Sequence, residues 1–291
     1  MNSMVEEMIK AYEPKNLAEQ KNAMKEVMQE IILCGLSRAG FFQKAAFYGG
    51  TALRIFYGLD RFSEDMEFSL MAENDAFALE SYFPQLEQEV RSFGLNIVIN
   101  AKQKTKDSKV ASAFLKGNTK EHLLLFYPGD SEFSSVPKDK LIKIKFEVDT
   151  NPPAFATYER RFRLQPIPYE VNIYDAPSLF AGKIHAVIGR AWKTRTKGRD
   201  LYDYIFYLSR GIPVNLNHLT ARLIQSGHLE AGKKYSVEEI RDLLRERFKE
   251  IDYEQAKSDV EPFLEDSAGV NLWSEEFFSQ ITEKLRAAEN N

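Results

Sequence analysis

The sequence predicts an α+β protein, and three observations carry that reading. Short alternating or apolar runs bounded by turn residues recur between residues 44 and 175 with two helical stretches among them, helical periodicity fills nearly everything after, and no internal repeat interrupts the order. Strands followed by helices imply a sheet-based domain over 1–175 and a mainly helical C-terminal domain over 176–291. A chain of 291 residues has room for one large or two ordinary domains.

The first forty residues read as helical. Ser3 and Glu6 fit a capping box, and Leu17, Met24, Val27, Met28, Ile31 and Ile32 fall near one face, with Gly35 as the stop. "KAAFYGG" is a short buried strand entering a loop, "TALRIFYGL" a helix, and "DMEFSL" a strand. Residues 74–94 read as one helix, capped near Asn74 or Asp75 and kinked or broken at Pro84. Strands are expected at "LNIVINAKQ", "VASAFLKG", "EHLLLFY" and "DKLIKIKFEVDT". The last sets Leu141, Lys143, Lys145, Glu147 and Asp149 against Ile142, Ile144, Phe146 and Val148, one face charged and the other apolar. "NPP" at 151–153 ends it, and "YEVNIYD" is one further strand. Helices follow near 176–190, 199–210, 215–226, 236–250, 253–265 and 274–287.

Composition removes several function classes. A net charge of −4 excludes a generally basic nucleic-acid coat, so any contact with RNA or DNA must use a local patch. Cys34 is the only cysteine, which excludes an internal disulfide and a cysteine-based zinc site and fits a reducing, cytoplasmic setting. The start "MNSMVEEMIK" lacks the pattern of a signal peptide, and no apolar stretch is long enough to cross a bilayer, so no membrane partner is expected.

The chemistry-bearing stretch is "FYGGTALRIFYGLDRFSEDMEF". On a strand, Asp65 and Glu67 share a face roughly 6–7 Å apart, and two carboxylates at that spacing repel unless a cation lies between them. Mg²⁺ (or Mn²⁺) suits hard oxygen ligands and keeps positions for water and phosphate. Glu147 or Asp149 on the later charged face offers a third carboxylate, as a two-metal site requires. Gly49 and Gly50 let backbone approach a phosphate closely, and Thr51 is placed to cap a helix whose N-terminus favours an anion. Each piece also has a plainer reading: a turn and cap, a solvated strand, a sheet face with cross-strand ion pairs.

"GGTALRIFYGLDRFSEDMEFSL" resembles the first motif of the AbiEii/AbiGii-type nucleotidyltransferase toxins, within the DNA polymerase-β-like nucleotidyltransferase superfamily. That motif is a Gly-Gly-[Ser/Thr] turn opening a helix, then Arg-x-Ser-x-Asp-x-Asp on a strand. Gly49, Gly50, Thr51, Arg61, Ser63 and Asp65 match it, while Glu67 stands in place of the second Asp. "LIKIKFEVDT" is similar to the family's later strand, which implies Glu147 as third acid with Asp149 as the alternative. "SLFAGKIHAVIGRAWKTRTKGRDLYDYIFYL" is similar to its C-terminal signature, matching at Lys183, Ala186, Arg190, Arg199, Asp200, Tyr202 and Asp203.

The resemblance implies a nucleotidyltransferase-like mixed sheet with helices. It implies an enzyme that moves an NMP from an NTP to an acceptor hydroxyl, as the toxin of a toxin–antitoxin or phage-defence pair. RNA, specifically tRNA, is the expected acceptor and a cognate antitoxin a possible partner. Asp65, Glu67 and Glu147 would hold Mg²⁺, and Gly49, Gly50, Thr51, Ser63 and Lys183 would seat the NTP. Lys183 and Asp200 would assist charge stabilisation and acceptor activation.

Physically, Lys183 and Arg190 lie on one helical face and Asp200 and Asp203 are neighbours at i, i+3. They fit a phosphate-neutralising cluster and equally a network pinning two helices together. Arg190, Lys193, Arg195, Lys197 and Arg199, with Trp192 among them, form either an RNA contact or a solvated basic loop. Two other functions remain open from sequence: transfer to a protein or small molecule such as an antibiotic, and nucleotide binding without turnover.

Overall fold

The computed structural model describes residues 3–74, 76–101, 119–128, 141–190, 196–264 and 266–289. The expected strand at 110–117 lies outside them, as do Asp75, Trp192, Lys193 and Arg195.

A seven-stranded mixed sheet organises the N-terminal half, in the order β3-β4-β5-β2-β1-β7-β6. Its strands are β1 (Ala45–Tyr48), β2 (Met66–Leu70), β3 (Leu95–Ala101), β4 (Thr119–Pro128), β5 (Ile142–Asp149), β6 (Tyr158–Arg163) and β7 (Tyr169–Tyr174). β2 runs parallel to β5 and β1 parallel to β7, whereas the remaining pairs are antiparallel. β6 was not expected from sequence. Its run "YERRFR" is too charged to read as a strand, and it forms as the sheet's edge partner of β7.

One sheet face is aromatic. Phe47, Phe68 and Phe146 stack across β1, β2 and β5 with ring centroids 5.0 and 4.6 Å apart. Helices α1 (Ser3–Lys10) and α2 (Leu17–Arg38) and, later in the chain, α4 (Phe83–Ser92) bury Val5, Val27, Ile31 and Leu86 into the same cluster. Leu17, assigned to that face by periodicity, is 84% exposed because it occupies the first turn, beyond the sheet's reach.

Two glycine and proline expectations need correction. Gly35 does not stop α2, which runs on to Arg38. A Cβ at Gly35 would come within 2.9 Å of Leu86 Cδ1, so the glycine lets α2 and α4 approach closely. Nor is 74–94 one helix. Pro84 lies in the first turn of α4, where its missing N–H costs nothing, and the residues before it form only a 3₁₀ turn at Leu79–Tyr82.

The other sheet face meets the C-terminal helices. α5 (Ala176–Gly189) begins directly after β7, capped by Asp175. It is followed by α6 (Gly198–Ser209), α7 (Leu216–Gln225), α8 (Val237–Lys249), α9 (Tyr253–Val260) and α10 (Glu275–Thr282). These pack around Phe180, Tyr204, Phe248 and Phe278, and that second cluster also takes in Ala46, Leu53, Leu59 and Tyr174. Among the described residues, no helix is long and apolar enough to cross a membrane.

Candidate active site

Helix α3 (Gly49–Tyr57) follows β1 without a break, and its N-terminus carries no side-chain cap. Thr51 therefore does not cap it. The Thr51 hydroxyl turns instead towards Ser63 Oγ, 2.9 Å away, and the Asp65 carbonyl. The glycine pair is explained by packing. A Cβ on Gly49, whose φ is +83°, would fall 1.8 Å from Glu67 Oε2, and one on Gly50 would meet Arg61 Nη2 at 2.9 Å and Ser63 Oγ at 3.0 Å. The side where each Cβ would project is thus filled by Glu67, Arg61 and Ser63.

The loop from Arg61 to Asp65 is tied to α2, where Gln29 Nε2 donates to the carbonyls of Ser63 and Glu64 at 3.0 and 3.1 Å. That tie fixes where β2 begins. In the sheet, Glu67 stands opposite Tyr48 on one side and opposite Glu147 on the other, so all three share a row and a face. Glu147 pairs with Lys145 on its own strand. Asp65 lies just before β2, and Asp149 two residues further along β5 than Glu147, opposite Ser69.

Burial, Glu147 and Asp65 together push the Glu67 carboxyl up to about 6. Lys183 and Arg190 act against that rise, which places their charges within reach of Glu67. Among the described residues, no three His, Cys, Asp or Glu side chains are gathered tightly enough to hold a metal ion as they stand. The donor chemistry nevertheless suits a hard divalent cation, because two carboxylates share a row and repel one another.

Beside this acidic row runs a chain of buried ion pairs. Arg61 donates to Asp203 through Nε and Nη2 at 2.6 and 2.7 Å. Lys183 Nζ joins Asp203 to Asp200 at 2.7 Å each, and Arg190 Nη1 reaches the other oxygen of Asp200 at 2.6 Å. Three cations thus hold two carboxylates that are 3% and 0% exposed. Burial favours the neutral acid at Asp200, yet Arg190 and Lys183 outweigh it and hold the carboxyl well below its usual range. Such a carboxylate is a poor proton acceptor. Of the two expected parts for Asp200, holding Lys183 and helping to activate the acceptor, the contacts with Lys183 and Arg190 match the first.

Of the basic stretch, Lys197 lies near the network, its proton loosened by the charge of Arg190 and then by burial. Arg199 instead stacks on the Phe263 ring at 4.3 Å, a packing contact within the chain. Arg61 was visible in the first motif without an assigned role, and Asp203, read as part of either a phosphate cluster or a helix-pinning network, pairs with it. Tyr48 and Lys145 carried no sequence signal beyond their strand positions.

A family model described as nucleotidyl transferase AbiEii toxin, type IV TA system, matches residues 31–284. Among solved structures, JHP933 from Helicobacter pylori is 18% identical, covers 91% of this chain and 93% of its own, and superposes with a TM-score of 0.52, a likeness of fold. MenT4, a nucleotidyltransferase toxin from Mycobacterium tuberculosis, is 14% identical over 99% of both chains, with a TM-score of 0.49. A search of the curated proteins gives no match. The family model spans most of the sequence and includes both charged clusters, so the chain belongs to the AbiEii nucleotidyltransferase toxin family of type IV toxin–antitoxin systems.

Proposed function

We propose that the enzyme transfers an NMP from an NTP to a hydroxyl of RNA, with tRNA the favoured acceptor, and releases pyrophosphate. Asp65, Glu67 and Glu147 would hold Mg²⁺ (or Mn²⁺). The observation that carries this reading is Glu67 facing Glu147 with its carboxyl pushed up to about 6, a repulsion that a divalent cation relieves. When bound, that ion supplies Lewis-acid polarisation of a phosphoryl oxygen and eases deprotonation of the attacking hydroxyl.

The chain's own groups bind and orient. The uncapped N–H groups at the start of α3 donate to triphosphate oxygens, with Ser63 and Arg61 supporting the turn from behind. Lys183, fixed between Asp200 and Asp203, lends positive charge to the phosphoryl group as its oxygens gain charge. Arg190 and Lys197 add to the same field. With Lys193 and Arg195 of the same basic stretch of sequence, they would supply charge that attracts an RNA backbone. We assign the biological role to a cytoplasmic toxin countered by a cognate antitoxin, acting in phage defence. A division into domains at residue 175 is supported by the helical cap that Asp175 forms directly after β7.

The test is incubation with Mg²⁺, each labelled NTP in turn and total bacterial RNA, beside Asp65→Ala. Label on an RNA band should appear with the wild type and fall on the order of 100-fold or more in the variant. Full labelling by Asp65→Ala would remove the metal assignment. NTP binding without RNA labelling would move the acceptor to a protein or small molecule, or the site to binding alone.

A further inference from the structure

The chain leaves α5 at Arg190, and a residue of α8 fixes how it leaves. Arg190 donates its N–H to the Ala186 carbonyl at 3.3 Å and then turns to extended backbone, with ψ at +124°. The carbonyls of a helix's last turn need donors from elsewhere. Arg247 of α8 supplies them: Nε donates to the Val187 carbonyl at 3.2 Å, and Nη2 to that of Arg190. Its charge also faces the negative end of the α5 dipole. Leu244 and Phe248 of the same helix are fully buried, so Arg247 stands on a firm base, and its Nη1 pairs with Glu250. Two of its donors go to main-chain carbonyls, which fixes the course of the chain.

The guanidinium of Arg190 reaches Asp200 at 2.6 Å while its side chain stays 29% exposed. Backbone and side chain of Arg190 are thus held by different helices, α8 and α6, with part of the cation open to solvent. The far end of the basic stretch is held by α9. Gln255 Oε1 accepts from the Thr196 N–H, and a Cβ on Gly198 would fall 1.8 Å from the Ala256 carbonyl, so α6 starts in contact with α9. α8 and α9 are tied to each other in turn, Tyr253 donating to the Phe248 carbonyl at 2.8 Å. Arg247 and Gln255 lie outside the motifs that carried the sequence reading.

We propose that Arg247 is a positioning residue for the acceptor: by holding the Arg190 carbonyl and the end of α5, it aims the Arg190 guanidinium at a phosphate of the RNA backbone. The inference rests on the RNA-acceptor reading of the proposed function. A guanidinium recognises phosphate through an oriented fork, so a change in the course of the chain at Arg190 loses the contact without removing the charge. The NTP seat is at α3 and at Lys183, two turns earlier on α5, so the effect falls on the acceptor.

Fluorescence anisotropy with labelled bulk bacterial tRNA, and labelling kinetics with the same tRNA, would compare the wild type, Arg247→Ala, Arg247→Lys, Arg190→Gln and the double variant of Arg190→Gln with Arg247→Ala. Each is first checked for a cooperative melt. Arg247→Ala should weaken tRNA binding and raise the tRNA KM roughly 10-fold. Its salt slope should be shallower by about 1, and NTP affinity by isothermal titration should stay within about 2-fold. Arg247→Lys keeps the charge but cannot span both carbonyls, so its tRNA KM should rise too, and it decides the matter where the Ala variant does not fold. In the Arg190→Gln background, Arg247→Ala should add less than about 2-fold, because the contact it positions is already gone. A full further loss in that background overturns the proposal, as does a wild-type tRNA KM in Arg190→Gln. A fall in kcat or NTP affinity with the tRNA KM unchanged also overturns it, since that is the mark of a structural cap alone. A wild type that neither binds nor labels tRNA overturns the acceptor reading and this inference with it, whereas normal tRNA use by both Arg247 variants overturns this inference alone.

Discussion

The acidic row of Glu67 and Glu147 and the ion-pair chain from Arg61 to Arg190 lie within electrostatic reach of each other, yet they are built on opposite plans. In the ion-pair chain every carboxylate already has two cationic partners, and Asp200 and Asp203 are held below their usual range although burial pushes the other way. In the acidic row burial and like charge act in the same direction, and Glu67 is pushed up. Glu147 has one cation, Lys145, from its own strand. The first cluster has its charges matched within the chain and holds Lys183 in place. The second lacks its counter-charge, and that is where a ligand cation adds most. Both contain Asp or Glu beside Lys or Arg in the sequence, so residue type alone does not separate framework from binding site.

Removing a carboxylate should therefore have opposite effects in the two places. Asp203→Ala leaves Arg61 and Lys183 buried without their partner, and urea denaturation should show a loss of about 3–5 kcal/mol. A loss below about 1 kcal/mol, the scale of an exposed pair, would break the contrast. Gly49→Ala comes next. Left-handed backbone costs a non-glycine residue about 1–2 kcal/mol, and the new Cβ displaces the Glu67 carboxylate. Thermal melting should show the first effect and loss of RNA labelling the second.

Glu67→Gln should act with the other sign. The Glu67 carboxyl is raised from 4.5 to about 6, so the folded protein holds that proton more tightly than the unfolded chain. The stability it contributes is full below 4.5 and is lost as pH rises through about 6. Without divalent metal, the amide variant should be more stable than wild type at pH 8 by about 1–2 kcal/mol, since the carboxylate keeps some solvent contact. The gap should vanish at pH 4. Added Mg²⁺ should stabilise the wild type and not the variant, while labelling is lost. A variant less stable than wild type at pH 8 would mean the row is not electrostatically incomplete.

The smallest expected effect separates two neighbouring cations. Arg199→Ala should cost about 0.5–1 kcal/mol from the lost stacking on Phe263 and leave RNA labelling unchanged. Lys197→Ala should leave stability alone and weaken RNA binding with a shallower salt dependence.

By itself the sequence determined what short-range periodicity and spacing encode. The alternation from Ile142 to Asp149 placed β5, the helical spacing after residue 175 placed the six C-terminal helices, and the motif order singled out Asp65, Glu67, Glu147, Lys183 and Asp200 as candidates. These features are local, because the dihedrals of a strand or helix decide which of its own side chains share a face. What the tertiary structure decided were relations between distant segments. The register that sets Glu67 opposite Glu147, the Arg61–Asp203 pair and the use of Gly49 and Gly50 as space for Glu67 and Arg61 each join residues with no shared local pattern. So does β6, a charged run made into a strand by its neighbour β7. Pairing and close packing depend on which surfaces meet, and the free energy that selects them is a property of the assembled core rather than of any one segment.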